Sequence, residues 1–164
     1  MKLLCTLILV VMLAGCVSHN ERVITGYEGK PLPDFTVLKM DSITRITTAS
    51  IPTGKPMVIF LFSPYCPYCR AQTADIIKNE KELKNVQVYM LSEFPFVTLK
   101  GYYEQYELNK YPNITLVQDY DAYFAKFYKA SAVPFIAVYN KDKTLKQVLL
   151  GNVGVNKIKD AVFE

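Results

Sequence analysis

The run Met57–Phe62 (MVIFLF) leads directly into Ser63-Pro64-Tyr65-Cys66-Pro67-Tyr68-Cys69-Arg70. The run is continuous, β-branched and aromatic, with no polar face, so it reads as a strand buried on both sides. Such a strand requires a sheet covered above and below, and with strands alternating with helices along the rest of the chain that implies a mixed α/β sheet covered on both faces. Pro67 then falls where the following element has its first helical position. Proline is favoured there because its missing N–H would find no intrahelical partner anyway. A helix is expected from Pro67 to about Leu83.

The rest of the chain supplies the other layers. Val86–Leu91 reads as a second central strand, Phe96–Asn109 as a helix and Ile114–Val117 as a short strand. Asp119–Lys129 fits an amphipathic helix, with Tyr120, Phe124, Phe127 and Tyr128 at helical spacing. Phe135–Tyr139 and Thr144–Leu150 form a hairpin across Asn140–Lys143, and Val155–Phe163 closes the chain as a helix. Upstream, Phe35–Met40 and Ile43–Thr48 form a hairpin across Asp41-Ser42, and Pro52–Pro56 is a turn. The expected fold class is α/β: a central mixed β-sheet flanked by helices, with an N-terminal β-hairpin. At 164 residues and 51% hydrophobic composition, the chain can bury a core of its own. Its net charge of +4 is scattered. There is no basic stripe and no nucleic-acid motif, so nucleic acid is not an expected partner. The tyrosines Tyr102, Tyr103, Tyr106 and Tyr111 are expected to pack in and around the core.

The N-terminus is a separate matter. Leu3–Ala14 is apolar, follows Lys2, and is too short to span a bilayer, where roughly 20 residues are needed. It fits a secretory h-region. Leu13-Ala14-Gly15-Cys16 resembles the lipobox of bacterial lipoproteins. That resemblance implies a signal peptide over 1–15, lipidation of Cys16, a tether over 16–30 and a folded domain over 31–164. It places the domain on a bacterial envelope membrane, facing the periplasm or the cell exterior. Neither Val17 nor Ser18 is the aspartate that retains some lipoproteins at the inner membrane, so either membrane is open. Cys5 would be removed and Cys16 capped, leaving Cys66 and Cys69 as thiols in a compartment where disulfides persist.

Four chemistries could use Cys66 and Cys69. A zinc site needs four ligands; beyond the pair, only His19 in the tether adds a cysteine or histidine. Covalent haem attachment needs histidine after the second cysteine, where this chain has Arg70. A structural disulfide across two residues closes a tiny loop and removes little unfolded-state entropy. The redox reading accounts for the surroundings. Cys66 sits at the N-cap of the expected helix, where free N–H groups and the positive helix end stabilise a thiolate. Arg70 adds positive charge. Cys69, about one turn on, is placed as the resolving thiol. Neither a metal nor a cofactor is expected.

The order of an apolar strand, CPYC opening a helix, an inserted βα segment and Val133-Pro134 before a hairpin resembles the thioredoxin fold. Within it, the lead-in Gly29-Lys30-Pro31-Leu32-Pro33-Asp34-Phe35 and the insert before Val133 are similar to envelope-facing TlpA/ResA-like proteins. The resemblance implies that Pro134 is cis and faces the cysteines, and that Tyr65, Pro67, Tyr68, Val133 and Pro134 line the docking surface for substrate. It implies a membrane-anchored thiol–disulfide oxidoreductase, reducing disulfides of envelope proteins and itself reduced by a DsbD/CcdA-like membrane electron donor. The Pro-Tyr dipeptide is also that of glutaredoxins. Peroxiredoxins share the fold, but their pattern around a single peroxidatic cysteine does not match FSPYCPYCRAQ. The chain departs from the family too. It has Tyr65 where tryptophan is common, Phe60 where thioredoxins bury an aspartate, and Gln72 and Ala74 where ResA-like proteins often carry glutamate and proline. With those acids missing, Glu93, after the Val86–Leu91 strand, is the candidate proton relay. The alternatives are a disulfide-forming oxidase with the same site, or a non-enzymatic binding or scaffold lipoprotein with an idle cysteine pair.

Overall fold

The computed structural model describes residues 23–164. Its strands are β1 (Thr36–Lys39), β2 (Arg45–Thr47), β3 (Met57–Leu61), β4 (Gln87–Ser92), β5 (Ile114–Gln118), β6 (Phe135–Tyr139) and β7 (Leu145–Leu150). Its helices are α1 (Pro67–Lys78), α2 (Phe96–Gln105), α3 (Tyr123–Tyr128) and α4 (Val155–Phe163). One seven-stranded sheet runs in the order β2-β1-β5-β4-β3-β6-β7. β3 pairs parallel with β4 and antiparallel with β6, so the sheet is mixed. The N-terminal hairpin β1–β2 joins it through β5.

The alternation of a strand explains why Met57–Phe62 shows no polar face. Val58, Phe60 and Phe62 point into one core with Ile76, Met90, Leu99 and Ile158. Met57, Ile59 and Leu61 point into the other with Leu91, Val117, Phe124, Tyr128 and Phe135. Helices α1, α2 and α4 contribute to the first core and α3 to the second, so every residue of β3 is buried.

Several elements are shorter than their sequence patterns. The helix expected to reach Leu83 stops at Lys78. There the Asn79 side-chain amide donates to the Asp75 carbonyl and carboxylate, both at 2.9 Å, and Glu80–Leu83 continues as a 3₁₀ turn. The helix from Phe96 ends at Gln105, and Glu107 takes a left-handed conformation (φ 49°) before the 3₁₀ turn Leu108–Lys110. α3 starts at Tyr123 rather than Asp119. Asp119 is buried at the end of β5, and its carboxylate accepts hydrogen bonds from the N–H groups of Tyr123 (3.0 Å) and Phe124 (2.8 Å). It acts as a cap set ahead of the helix.

The stretch expected as tether, 16–30, is attached from Val23 onward. Val23 bridges to Val148, and Gly29 N–H and Lys30 C=O both bond Leu145 at 2.8 Å. The Tyr27 ring packs on Phe127 (4.6 Å) and Tyr128 (5.4 Å). Two apolar side chains in a polar stretch were enough to lay it along the free edge of β7, which would otherwise present unpaired backbone groups. The signal peptide over 1–15 and the lipidated Cys16 lie outside the described residues.

Candidate active site

The site forms where β3 ends. Phe62 N–H still reaches the Leu91 carbonyl (3.0 Å), and the Ser92 hydroxyl donates to the Phe62 carbonyl (2.8 Å). Ser63-Pro64-Tyr65 then turns the chain: Cys66 N–H donates to the Ser63 carbonyl (3.1 Å), and Tyr65 N–H to the Ser63 hydroxyl (3.3 Å). The turn delivers Cys66 to the N-cap of α1 in extended conformation, with Pro67 at the first helical position. Both cysteines are free thiols; Cys66 is half-exposed and Cys69 is buried.

Their environments push them apart. Burial works against ionisation of Cys66, but the backbone N–H of Cys69, the Cys69 thiol, the backbone N–H of Tyr68 and the charge of Arg70 outweigh it. The Cys66 thiol is held below its ordinary value. Burial pushes Cys69 up to about 12; the Ser63 backbone opposes this and proximity to Cys66 adds to it. A thiolate-forming sulfur thus stands over one that keeps its proton.

The second element arrives through β6. Leu61 pairs with Phe135, which sets Val133-Pro134 beside the turn after β3. The Val133–Pro134 peptide is cis, and the Val133 carbonyl lies 3.8 Å from Cys66 Sγ. Pro134 is buried, and its carbonyl accepts from Gly151 N–H (2.9 Å). Tyr65 and Tyr68 are each 65% exposed, and Pro67 is exposed between the cysteines. The Tyr65 ring stands edge-on to Phe94 at 5.4 Å. Cys66, Cys69, Tyr65, Pro67, Tyr68, Val133 and Pro134 therefore share one end of the sheet.

Residues 29–148 match the AhpC/TSA family. The chain belongs to the AhpC/TSA family. Solved structures agree on the fold. A secreted Mycobacterium tuberculosis disulfide oxidoreductase homologous to Escherichia coli DsbE superposes with a TM-score of 0.64 at 20% identity, covering 77% of this chain and 92% of its own. StoA from Bacillus subtilis gives a TM-score of 0.61 at 13% identity, covering 79% and 96%. A putative thioredoxin from Neisseria meningitidis gives a TM-score of 0.64 at 21% identity, covering 78% and 84%, so the fold is thioredoxin-like. No curated protein matches the chain.

In this AhpC/TSA-family chain, the groups packed below the cysteine pair were only partly visible in the sequence. The Thr73 hydroxyl donates to the Cys69 carbonyl (3.0 Å), so in its 2.8 Å contact with Tyr102 the phenol is the donor. Tyr102 is buried against Phe62 (4.9 Å) and Tyr106 (4.6 Å), the packing role expected for that cluster. Gln72 is fully buried; its carbonyl oxygen accepts from Val153 N–H (2.8 Å), while its Nε2 is buried without a partner among the described residues. Asp75, one turn further, is committed to Val155 N–H (2.9 Å) and Asn79. Glu93 lies just past β4 at the same sheet edge, exposed, beside a cavity it shares with Ser63 and Val133. The Asn79 and Asp75 roles depend on chain ends that no periodicity marks.

Proposed function

We propose that this chain is a membrane-anchored thiol–disulfide oxidoreductase that reduces disulfides of envelope proteins through the Cys66–Cys69 couple. The observation that carries the reading is the unequal pair: Cys66 at a helix N-cap against the Val133 carbonyl, with Cys69 buried one turn below. A structural bridge needs no such asymmetry, whereas exchange needs a ready thiolate and a protected second thiol.

The chemistry runs in two displacements. The Cys66 thiolate attacks one sulfur of a substrate disulfide. The Cys66–substrate bond forms, the substrate S–S bond breaks, and the departing sulfur leaves as a thiolate and is protonated. Cys69 then gives up its proton and attacks Cys66 Sγ. The Cys66–Cys69 bond forms, and the second substrate sulfur leaves and is protonated. Two electrons and two protons pass from the protein dithiol to the substrate. A DsbD/CcdA-like membrane dithiol donor would restore the reduced pair, and lipid on Cys16 would hold the domain near it. Tyr65, Pro67, Tyr68, Val133 and Pro134 would form the docking surface.

One observation favours a slower, binding-type role. The buried group next along α1 from Cys69 is an amide, Gln72, and Cys69 itself is held at about 12. The two readings separate by equilibrating the full chain with defined thiol buffers and counting free thiols. A potential near about −270 mV supports the reductase, and one towards roughly −120 mV makes it a disulfide donor. A pair that does not cycle leaves the binding role.

A further inference from the structure

The active-site end of the sheet carries a cavity of about 180 Å³ whose walls include Leu61, Phe62, Phe94, Ala125 and Val133. It opens beside the nucleophile. Ser63, whose carbonyl receives Cys66 N–H, and Val133, whose carbonyl faces Cys66 Sγ, both line it. A polypeptide held with its disulfide at Cys66 therefore lays the side chain of an adjacent residue over this cavity. In extended chain that residue is about 3.3 Å per position away.

The charged group at the cavity is Glu93, beside the hydroxyl residues Ser63 and Ser131. It is exposed and makes no hydrogen bond or ion pair with any described residue. The nearby α3 lysine, Lys126, is turned to the Asp121 carbonyl (2.7 Å). A largely apolar pocket whose one charged wall residue is an unpaired carboxylate suits a side chain with an apolar stem and a cationic end. A purely apolar side chain would leave the carboxylate partly desolvated without a partner, and an acidic one would be repelled.

We propose that this cavity is a specificity subsite, taking a lysine or arginine side chain next to the reacting cysteine of the substrate polypeptide and pairing it with Glu93. The inference rests on the reductase reading and names the substrate class that reading leaves open.

The test uses the pre-reduced full chain in single turnover with peptide disulfides of equal length, carrying Lys, norleucine or Glu beside the cysteine. Each rate is divided by the rate of the same peptide with a small dithiol, which removes effects on the peptide's own sulfur. The Lys peptide should react about fivefold faster than the norleucine peptide, the scale of a partly exposed ion pair, and the Glu peptide slowest. Because the chain carries +4 overall, its general field would favour the opposite order. Glu93→Gln should collapse the ratio, Glu93→Lys should reverse it, and high salt should shrink it. Equal or faster reaction of the norleucine peptide with the wild type overturns the proposal, as does a Lys preference that survives Glu93→Gln. If the peptides react without regard to charge, the subsite alone fails. If none is reduced, the reductase reading fails and the subsite with it.

Discussion

The sharpest consequence of the unequal cysteine pair is a chemical silence at Cys69. Its thiol is raised from 9.0 to about 12, chiefly by burial, while Cys66 is lowered. Each unit is a tenfold change in the thiolate population, so at neutral pH Cys69 carries roughly a thousandfold less thiolate than an unshifted thiol. The perturbation is a pH series from 6 to 10 on the reduced protein, with brief exposure to iodoacetamide and identification of the labelled peptide by mass. Cys66 should take almost all the label throughout, with a rate that rises through an inflection below 9. Cys69 should stay unlabelled until the chain is unfolded in denaturant, when it should react as an ordinary thiol. The same raised value gives a stability signature. A folded-state value above the unfolded one stabilises fully below about 9 and is lost as pH rises towards 12. The loss is about 4 kcal/mol for a three-unit shift. The reduced wild type should therefore lose more stability than Cys69→Ser over that range. Comparable labelling of the two cysteines in the folded protein, or a Cys66 rate that climbs only above 9, would refute the argument.

Other parts of the structure make their own forecasts. Asp119→Ala removes both hydrogen bonds at the start of α3 and should cost about 1–2 kcal/mol, read as a drop of about 2–8 °C in the melting midpoint. Gln72→Glu puts a carboxyl where Nε2 has no partner. Burial raises its folded value, so the variant should be closest to wild type near pH 4 and progressively weaker towards pH 7; urea unfolding at the two pH values shows this, and a constant difference would count against it. Tyr27→Ala removes the ring contacts that hold residues 23–30 to Phe127 and Tyr128. It should cost about 1 kcal/mol per lost aromatic pair, and hydrogen exchange at the Gly29 and Leu145 amides should accelerate while the amides of β3 stay protected.

The fold was legible because its centre is written in a one-letter pattern. Met57–Phe62 has no polar face, so it had to be a two-sided strand, and every other layer follows from that. The cysteine position at the head of α1 was legible for a similar reason: Pro67 marks a first helical residue with little ambiguity. What the pattern could not show was where helices stop. Asn79 folding back on Asp75, and Asp119 capping α3 from four residues upstream, are side-chain-to-backbone contacts whose partners are fixed only once the strands pair. The docking of Val23–Lys30 was hidden because only two of its three apolar side chains, Val23 and Tyr27, pack inward while Ile24 is exposed, too few for any period. Around the cysteines, the residue types were readable and their neighbours were not. Gln72 could be seen to replace an acid, but not that its amide is buried and half-bonded to the loop before α4.

Were the domain held on a membrane as proposed, the strip of chain beside β7 would also set its working height. It runs antiparallel to β7, with Val23 opposite Val148 and Pro31 opposite Thr144, so its Val23 end lies towards the Leu150–Phe135 pair. That is the end where Pro134 and Cys66 stand. On the proposed lipidation of Cys16, the leash from Cys16 to Val23 reaches at most about 25 Å when fully drawn out. A leash that short, fastened at the reactive rim, would turn the cysteines towards the bilayer. Partners embedded in the membrane would then be near neighbours, and substrates would be those whose disulfides pass close to its surface.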